Sequence, residues 1–540
     1  MSTICGLPLE VILHILDFAQ WKDLLRLTST CKFFRSVVQE TSALQYIIEL
    51  GIYGLTDCRN GPELPYSNRL KHLQDFQSHW RTATFARTLE VSLPGTWDGW
   101  TYELQKGVFA RSLLNQSDPV PGGSSEMVLV NLRTAKHWRC ELDLEVQDFS
   151  IDPDQNLAVL FQWMGMEPDT AETRIHLRRL DNLEPHPLAE QVIVTYDLGW
   201  QDPPLGWTIH SIQIAGDLVG VLFDPRSPDE VDKIVVWNWR TGQAIAELPA
   251  TRIVGLDSFF LLSERVMVVP DKRQGSIHVF LLMGAETRPV HWKCFVLPSL
   301  TADRRMDRII SRSDPAASAI PPSSFSRHSR EKENALHPRP TYQVSGDARL
   351  LCFVINIFRL DAHIAGHSVH LYTPMDTFMP SPEGDWNPDH GVKYVPWKDW
   401  GPTMTRFVME PALARNPFVT FIHGHRCVMA STELEAEDGH FNLSHYIHVY
   451  DFNQNAIRRD LLRNSKVDDI HREPSTLSKE SFFGTMDVVT SLPYRSCRMR
   501  LDVPFEALMM DGENVIALTQ QRGQTGPLDV LYIHQIGPIE

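Results

Sequence analysis

Ile234-Val235-Val236-Trp237-Asn238-Trp239-Arg240-Thr241-Gly242-Gln243 is the stretch on which the reading of the fold turns. Aliphatics come first, then aromatic and polar residues, then a Thr-Gly pair: a buried strand followed by a tight turn. Shorter versions recur at Val128-Leu129-Val130-Asn131-Leu132-Arg133-Thr134, Ile175-His176-Leu177-Arg178, Ile277-His278-Val279-Phe280, Val369-His370-Leu371-Tyr372, Ile447-His448-Val449-Tyr450-Asp451 and Val530-Leu531-Tyr532. With Asn131, Arg178, Trp237, Phe280, Tyr372, Tyr450 and Tyr532 taken as equivalent, the spacings are 47, 59, 43, 92, 78 and 82. The short spacings suit a four-stranded unit of about 40 to 50 residues, and the long ones leave room for insertions. A second apolar strand precedes several copies, at Leu218–Phe223, Arg349–Val354 and Asn514–Leu518. Near-continuous apolar runs are expected of strands covered on both faces.

The Ile234–Gln243 copy resembles the third strand and following turn of a WD-repeat blade. The resemblance implies a mainly β fold, a degenerate β-propeller of about seven blades over residues 101–540, preceded by a small all-α domain. Two stretches stand outside the repeat. Residues 301–340, with eight Arg/Lys, five Asp/Glu and many Ser and Pro, read as a mobile, disordered insertion whose Ser323, Ser324, Ser326 and Ser329 a kinase could reach. Arg458 to Thr485 reads as an insertion between blades.

The first fifty residues have another character. Pro8 suits the start of a helix, and Ile12, Ile15, Leu16 and Ala19 form one stripe along it while Val11 and Phe18 lie to another side. A second helix fits Lys22 to Ser29, and a third runs from about Cys31 to Leu50 with Gly51 as its stop. Between Leu7 and Leu50, 24 of 44 residues are apolar, more than three short helices can enclose by themselves. The surplus must cover either a partner or the rest of the same chain.

Leu7-Pro8-Leu9-Glu10-Val11-Ile12-Leu13-His14-Ile15-Leu16 resembles the opening of an F-box, Asp23-Leu24-Leu25-Arg26-Leu27 its next block, and Cys31-Lys32-Phe33-Phe34 its closing block, with Phe34 at the usual Trp position and Thr30 where an aliphatic is commoner. The resemblance covers about a tenth of the chain. It implies an F-box at 1–51, a linker at 52–100, and docking on a Skp-type adaptor that leads to a cullin scaffold. By position, Leu7, Pro8, Ile12, Ile15, Leu16, Leu24, Leu27 and Phe34 are the adaptor-binding or interface-supporting residues, some of them expected to be domain core. The function so implied is a non-catalytic substrate receptor of an SCF-type ubiquitin ligase, the propeller holding an unknown target protein. The alternative is a propeller enzyme or ligand-binding propeller whose helices only pack.

Composition narrows the field. A formal net charge of -16 argues against a general nucleic-acid binder. Eight scattered cysteines without CxxC spacing fit a reduced compartment. The apolar run from Leu7 to Ala19 lacks a preceding basic residue and is broken by Glu10 and Asp17, so it reads as neither signal peptide nor membrane span, and the expected location is cytoplasm or nucleus. On that expectation the sequons at Asn115 and Asn442 are idle.

No phosphate-binding loop, dinucleotide motif, HExxH or Gly-x-Ser-x-Gly string occurs, so no cofactor and no catalytic residue is expected. His423, His425 and Cys427 share one face if they lie on one strand, but a fourth ligand is missing and no metal is assigned. Glu433, Glu435, Glu437 and Asp438 read as an acidic loop. Trp386, Trp397 and Trp400, in a Pro-rich segment, are the candidate target-binding anchors, with packing as the competing reading.

Overall fold

A computed structural model describes residues 6–58, 64–94, 101–113, 124–164, 172–198, 209–224, 231–250, 256–283, 287–316, 341–346, 348–360, 367–380, 391–409, 420–437, 440–463, 468–478, 483, 487–501, 503, 505–523 and 526–537. Helices come first: α1 (Leu9–Leu16), α2 (Trp21–Thr28), α3 (Lys32–Glu40) and α4 (Ser42–Tyr53). The single third helix expected from Cys31 to Leu50 is therefore two, because Thr41 is extended at φ -98° and ψ 108°. The stop falls at Gly54, which adopts the left-handed φ of 62°. Gly51 serves close approach instead, since a Cβ there would lie 2.1 Å from the Trp21 ring and push α2 off α4.

The stretch read as a linker holds the end of α4 and three further elements, the first of them the short strand Leu55–Asp57. Helix α5 (Tyr66–Thr82) buries Leu73, Phe76, Gln77 and Trp80, spaced as one helical stripe. After it, Phe85–Pro94 is a strand that pairs antiparallel with Gly526–Ile536, from Phe85 opposite Ile536 to Pro94 opposite Leu528. That pairing joins an early segment to the last strand and closes a ring.

Among the described residues the ring has seven antiparallel blades. Blade 1 is Tyr102–Gln105, Val108–Leu113, Ser124–Asn131 and His137–Val146, and blade 2 is Asp148–Asp152, Leu157–Trp163, Glu172–Arg179 and Ile193–Asp197. Blade 3 is Ile209–Ala215, Leu218–Phe223, Lys233–Asn238 and Ala244–Pro249, and blade 4 is Phe260–Ser263, Val266–Asp271, Ser276–Leu281 and Val290–Val296. Blade 5 is Arg304–Arg312, Leu350–Arg359, His367–Pro374 and Arg406–Met409. Blade 6 is Ile422–His423, Arg426–Glu437, His440–Asp451 and Tyr494–Leu501. Blade 7 is Ala507–Met510, Asn514–Gly523 and Gly526–Ile536, completed by Phe85–Pro94. Asn131, Arg178, Trp237, Phe280, Tyr372, Tyr450 and Tyr532 each fall in the third strand of their blade. The mainly β, seven-bladed architecture read from the repeat is the one observed.

The core is a set of apolar wedges between neighbouring sheets, such as Val235, Trp237 and Phe223 of blade 3 against Val159 and Phe161 of blade 2. Insertions explain the long spacings. Blade 5 carries one between its first two strands and a second, with α6 (Trp397–Met404), before its fourth. Blade 6 carries α7 (Gln454–Arg463) and short strands between its third and fourth strands, so the Arg458–Thr485 insertion lies within a blade rather than between two. Residues 301–340 also need correction: Arg304–Arg312 is the first strand of blade 5, in register with Leu350–Arg359. Its polar composition misleads because the charged residues of the strand are half-buried or exposed between the buried Met306, Ile309 and Ser311, and Arg312 reaches the channel. Ser323, Ser324, Ser326 and Ser329 lie outside the described residues.

Candidate functional site

Helices α1 to α4 have two faces of different fate. Ile12, Leu16, Leu24, Phe34, Val37, Val38, Leu44, Ile48 and Ile52 form their common core. On the other side Leu7, Leu9, Val11, Ile15, Phe18, Leu25 and Phe33 are exposed, Phe18 to 80%. Val11 and Ile15 lie at i and i+4 on α1, and Phe18 follows in the turn just past its end, all three left uncovered by the protein itself. The eight residues foreseen as adaptor-binding therefore divide. Leu7, Pro8 and Ile15 are exposed, Leu27 is half-buried, and Ile12, Leu16, Leu24 and Phe34 are interior. Of the two aromatics in the closing block, the outward one is Phe33, whose ring sits edge-on to Phe34 at 5.5 Å. Leu9, Val11, Phe18, Leu25 and Phe33 were not singled out, although the separate side of α1 holding Val11 and Phe18 was visible in the spacing.

The helical unit is welded to the ring. α4 places Tyr46 in the core formed by α5 and blades 5 to 7, and Ile48 and Ile52 in the helical core, which also takes Ala456 of α7. Arg459 of α7 donates to Glu49 at 2.6 Å and to the Tyr53 hydroxyl at 2.7 Å. The Asn453 amide donates to the Ile52 carbonyl at 3.1 Å, and Arg81 pairs with Asp460 at 2.8 Å. Leu55–Asp57 forms a two-stranded ladder with Tyr342–Val344, while the Arg426 guanidinium lies 5.1 Å from the centre of the Trp80 ring. Packing onto the same chain and surplus exposed surface are thus both real, on different faces.

The tryptophan candidates fare otherwise. Trp386 lies outside the described residues. Trp400 is 3% exposed, donates its Nε1–H to the Val296 carbonyl at 3.2 Å, and meets the Phe295 ring edge-on at 5.3 Å. Trp397 packs beside it at 5.2 Å and over Gly401, where a Cβ would lie 2.3 Å from the ring. Trp400 fills the wedge between blades 4 and 5 and has little surface to offer a target, whereas Trp397 is only partly buried against that wedge.

His423, His425 and Cys427 are not on one strand: Gly424 and His425 make the turn between Ile422–His423 and Arg426–Glu437, so the alternation is broken there. His423 bonds to Asp314, and burial pushes the Cys427 thiol up to about 12, which keeps it from acting as a thiolate ligand. No cluster of three metal-ligating side chains exists among the described residues. The acidic loop is mostly the hairpin of blade 6, where Glu433 pairs with Arg498 at 2.5 Å and Glu435 accepts from Ser444 at 2.7 Å. Asp438 lies outside the described residues.

Comparison with known proteins matches residues 4–45 to the F-box-like family. No curated protein matches the chain by sequence. Similar solved structures include the WD40 domain of Toxoplasma gondii coronin, at 9% identity and TM-score 0.37, covering 84% of this chain and 90% of that one. The WD40 domain of SCAP from fission yeast matches at 8% and 0.33, over 84% and 96%. An acylaminoacyl peptidase of Pyrococcus horikoshii matches at 10% and 0.27, over 70% and 54%. At those scores the propeller assignment rests on the strand order itself.

Proposed function

We propose that this chain, whose N-terminal helices match the F-box-like family, is the substrate-recognition subunit of an SCF-type cullin-RING ubiquitin ligase. The observation that carries the reading is the exposed apolar set Val11, Ile15, Leu25 and Phe33 on α1 to α3, with Leu7 and Phe18 at the two ends of α1, on a helical unit whose interior is filled. An apolar surface of this kind is matched to a partner's groove. A Skp-type adaptor is the partner that F-box domains generally bind, and a cullin scaffold follows from it. The ring then holds the target protein, in the cytoplasm or nucleus where such ligases work. Its contribution is proximity: two partners held on one body react at raised effective concentration, with no catalytic group from this chain.

The test is co-purification of the full chain with a Skp-type adaptor, wild type against a variant carrying Ile15→Asp and Phe18→Asp. Both residues are exposed, so the variant keeps its fold and loses the adaptor. Equal adaptor recovery by the folded variant would sink the proposal. Asp at Leu16 would not serve, because that side chain is interior and its loss would unfold the helices.

A further inference from the structure

The first strands of the blades line a central channel with a cavity of about 250 Å³. Its wall carries charge that adaptor docking does not use. Lys106, at one end, is satisfied within the protein, pairing with Asp152 at 2.8 Å and Asp154 at 2.7 Å. That leaves Glu103 from blade 1, Asp148 from blade 2, and Arg312 and Asp314 from blade 5: three carboxylates and one guanidinium. Tyr102 and the interior serines Ser150 and Ser311 are their neutral neighbours on the wall.

The protein's own contacts do not use up this negative charge. Glu103 accepts one bond from Gln105 at 2.9 Å, and Asp148 one from the Phe149 backbone N–H at 2.8 Å. Arg312 donates to its neighbour, the Ser311 carbonyl, at 2.8 Å. Asp314 is 4% exposed; its Oδ2 is held by His423, but its Oδ1 has no partner among the described residues. A buried acceptor left without a donor is costly, and a cation entering the channel would supply one. Burial pushes Glu103 up to about 8, with Asp148 and Asp314 adding to the effect and Arg312 opposing it, and pushes Asp148 up to about 7. A cation between them would draw both back toward the ionised state.

The kind of cation follows from the spacing. Among the described residues no three metal-ligating side chains stand together as an ion would need, so the wall does not make a metal site. The volume sits below the usual range of pockets for larger ligands, roughly 300–1,000 Å³, and suits a group of side-chain size. We propose that the channel binds an organic cation, a protonated amine or a guanidinium, attracted by the wall that carries Glu103, Asp148 and Asp314. It comes from a basic side chain of a bound protein or from a free polyamine. The inference stands on the channel alone, independently of adaptor docking.

Titration calorimetry on the full chain, with N-acetyl-arginine amide, N-acetyl-lysine amide and spermidine as probes and glutarate as the anionic control, tests it. At least one cation should bind at pH 8.5 and bind about tenfold more weakly at pH 6.5, where protons compete for the same oxygens. The double variant Glu103→Gln, Asp148→Asn should lose at least tenfold in affinity with an unchanged circular dichroism spectrum. Asp148→Asn alone serves if the double variant misfolds. Binding of the blocked amino acids without spermidine assigns the site to a protein's basic residue, and the reverse assigns it to a polyamine; either supports the site. The proposal is overturned if no cation binds at millimolar concentration or if glutarate binds as well. It is also overturned if the variants keep wild-type affinity, as nonspecific attraction to a surface of net charge -16 would.

Discussion

Truncating Phe18 and truncating Leu24 should have opposite consequences, and the structure sets the size of each. Phe18 is 80% exposed, so Phe18→Ala removes almost no burial and should move stability by no more than about 0.5 kcal/mol. Leu24 is 0% exposed in the helical core, and Leu24→Ala should cost about 2–5 kcal/mol as lost transfer energy plus a cavity. For adaptor binding the order reverses at the level of mechanism. If Phe18 anchors the interface, its loss costs about 2 kcal/mol of binding, roughly a 30-fold rise in Kd, in a protein that is fully folded. Leu24→Ala weakens binding only in step with the fraction of helices unfolded. Urea unfolding followed by hydrogen exchange in α1 to α3, alongside calorimetric titration of the adaptor, separates the two. A Phe18→Ala protein that binds the adaptor at wild-type strength while Leu25→Ala and Phe33→Ala do the same would refute the assignment of this face.

Three further outcomes are expected. Arg459→Ala leaves Glu49, 8% exposed, without its 2.6 Å partner and should cost about 2 kcal/mol, read as faster hydrogen exchange in α4 and α7 while blade 3 is unchanged. Trp400→Ala should cost about 3–5 kcal/mol and lower the unfolding midpoint, as expected of packing; a folded variant of wild-type stability that fails to bind a target would show a contact residue instead. Glu103 and Asp148 titrate above the usual carboxylate range, so the folded state holds their protons longer than the unfolded chain and stability declines as pH rises toward about 8 and about 7 respectively. The double variant Glu103→Gln, Asp148→Asn should therefore gain midpoint over wild type between pH 5 and pH 8.5, and a gap that stays constant across that range would contradict it.

The legible parts of the fold were those where burial is two-sided. Ile234, Val235 and Val236 are each 0% exposed because a third strand has neighbours on both edges and other blades over both faces, so its sequence is apolar throughout. Two of the first strands are harder to read than the apolar, buried Phe260–Ser263 and Ala507–Met510. Ile422–His423 is two residues long, and Arg304–Arg312 carries four arginines, of which Arg312 lines the channel. Phe85–Pro94 is invisible locally because its partner lies more than 430 positions away, at Gly526–Ile536, and only the closed ring supplies it. In the helices, motif spacing located the unit but not which side of it faces out. Phe33 and Phe34 are adjacent and chemically alike, and one is 40% exposed where the other is 7%. Phe34 shares the buried side of α3 with Val37 and Val38 at i+3 and i+4, whereas the extended backbone of Thr41 resets the phase only of the residues after it, which a single helix from Cys31 to Leu50 misplaced.

How the two surfaces relate depends on α4 more than on any loop. The helix contributes Leu44, Ile48 and Ile52 to one core and Tyr46 to the other, so the helices and the ring share a packed element rather than a tether. A flexible tether would let a held target sample many positions, and its effective concentration at any one of them would fall with the linker's length. A shared helix removes that freedom: Arg459 and Asn453 pin it from blade 6, and Arg81 of α5 donates to its Tyr53 hydroxyl. Close-packed interiors shift between discrete arrangements rather than deforming continuously, so the helical face stays at one angle to the channel axis. On the receptor reading, such a body presents a target in one orientation and limits modification to lysines that fall within reach of that pose. Target choice then depends on geometry as well as affinity.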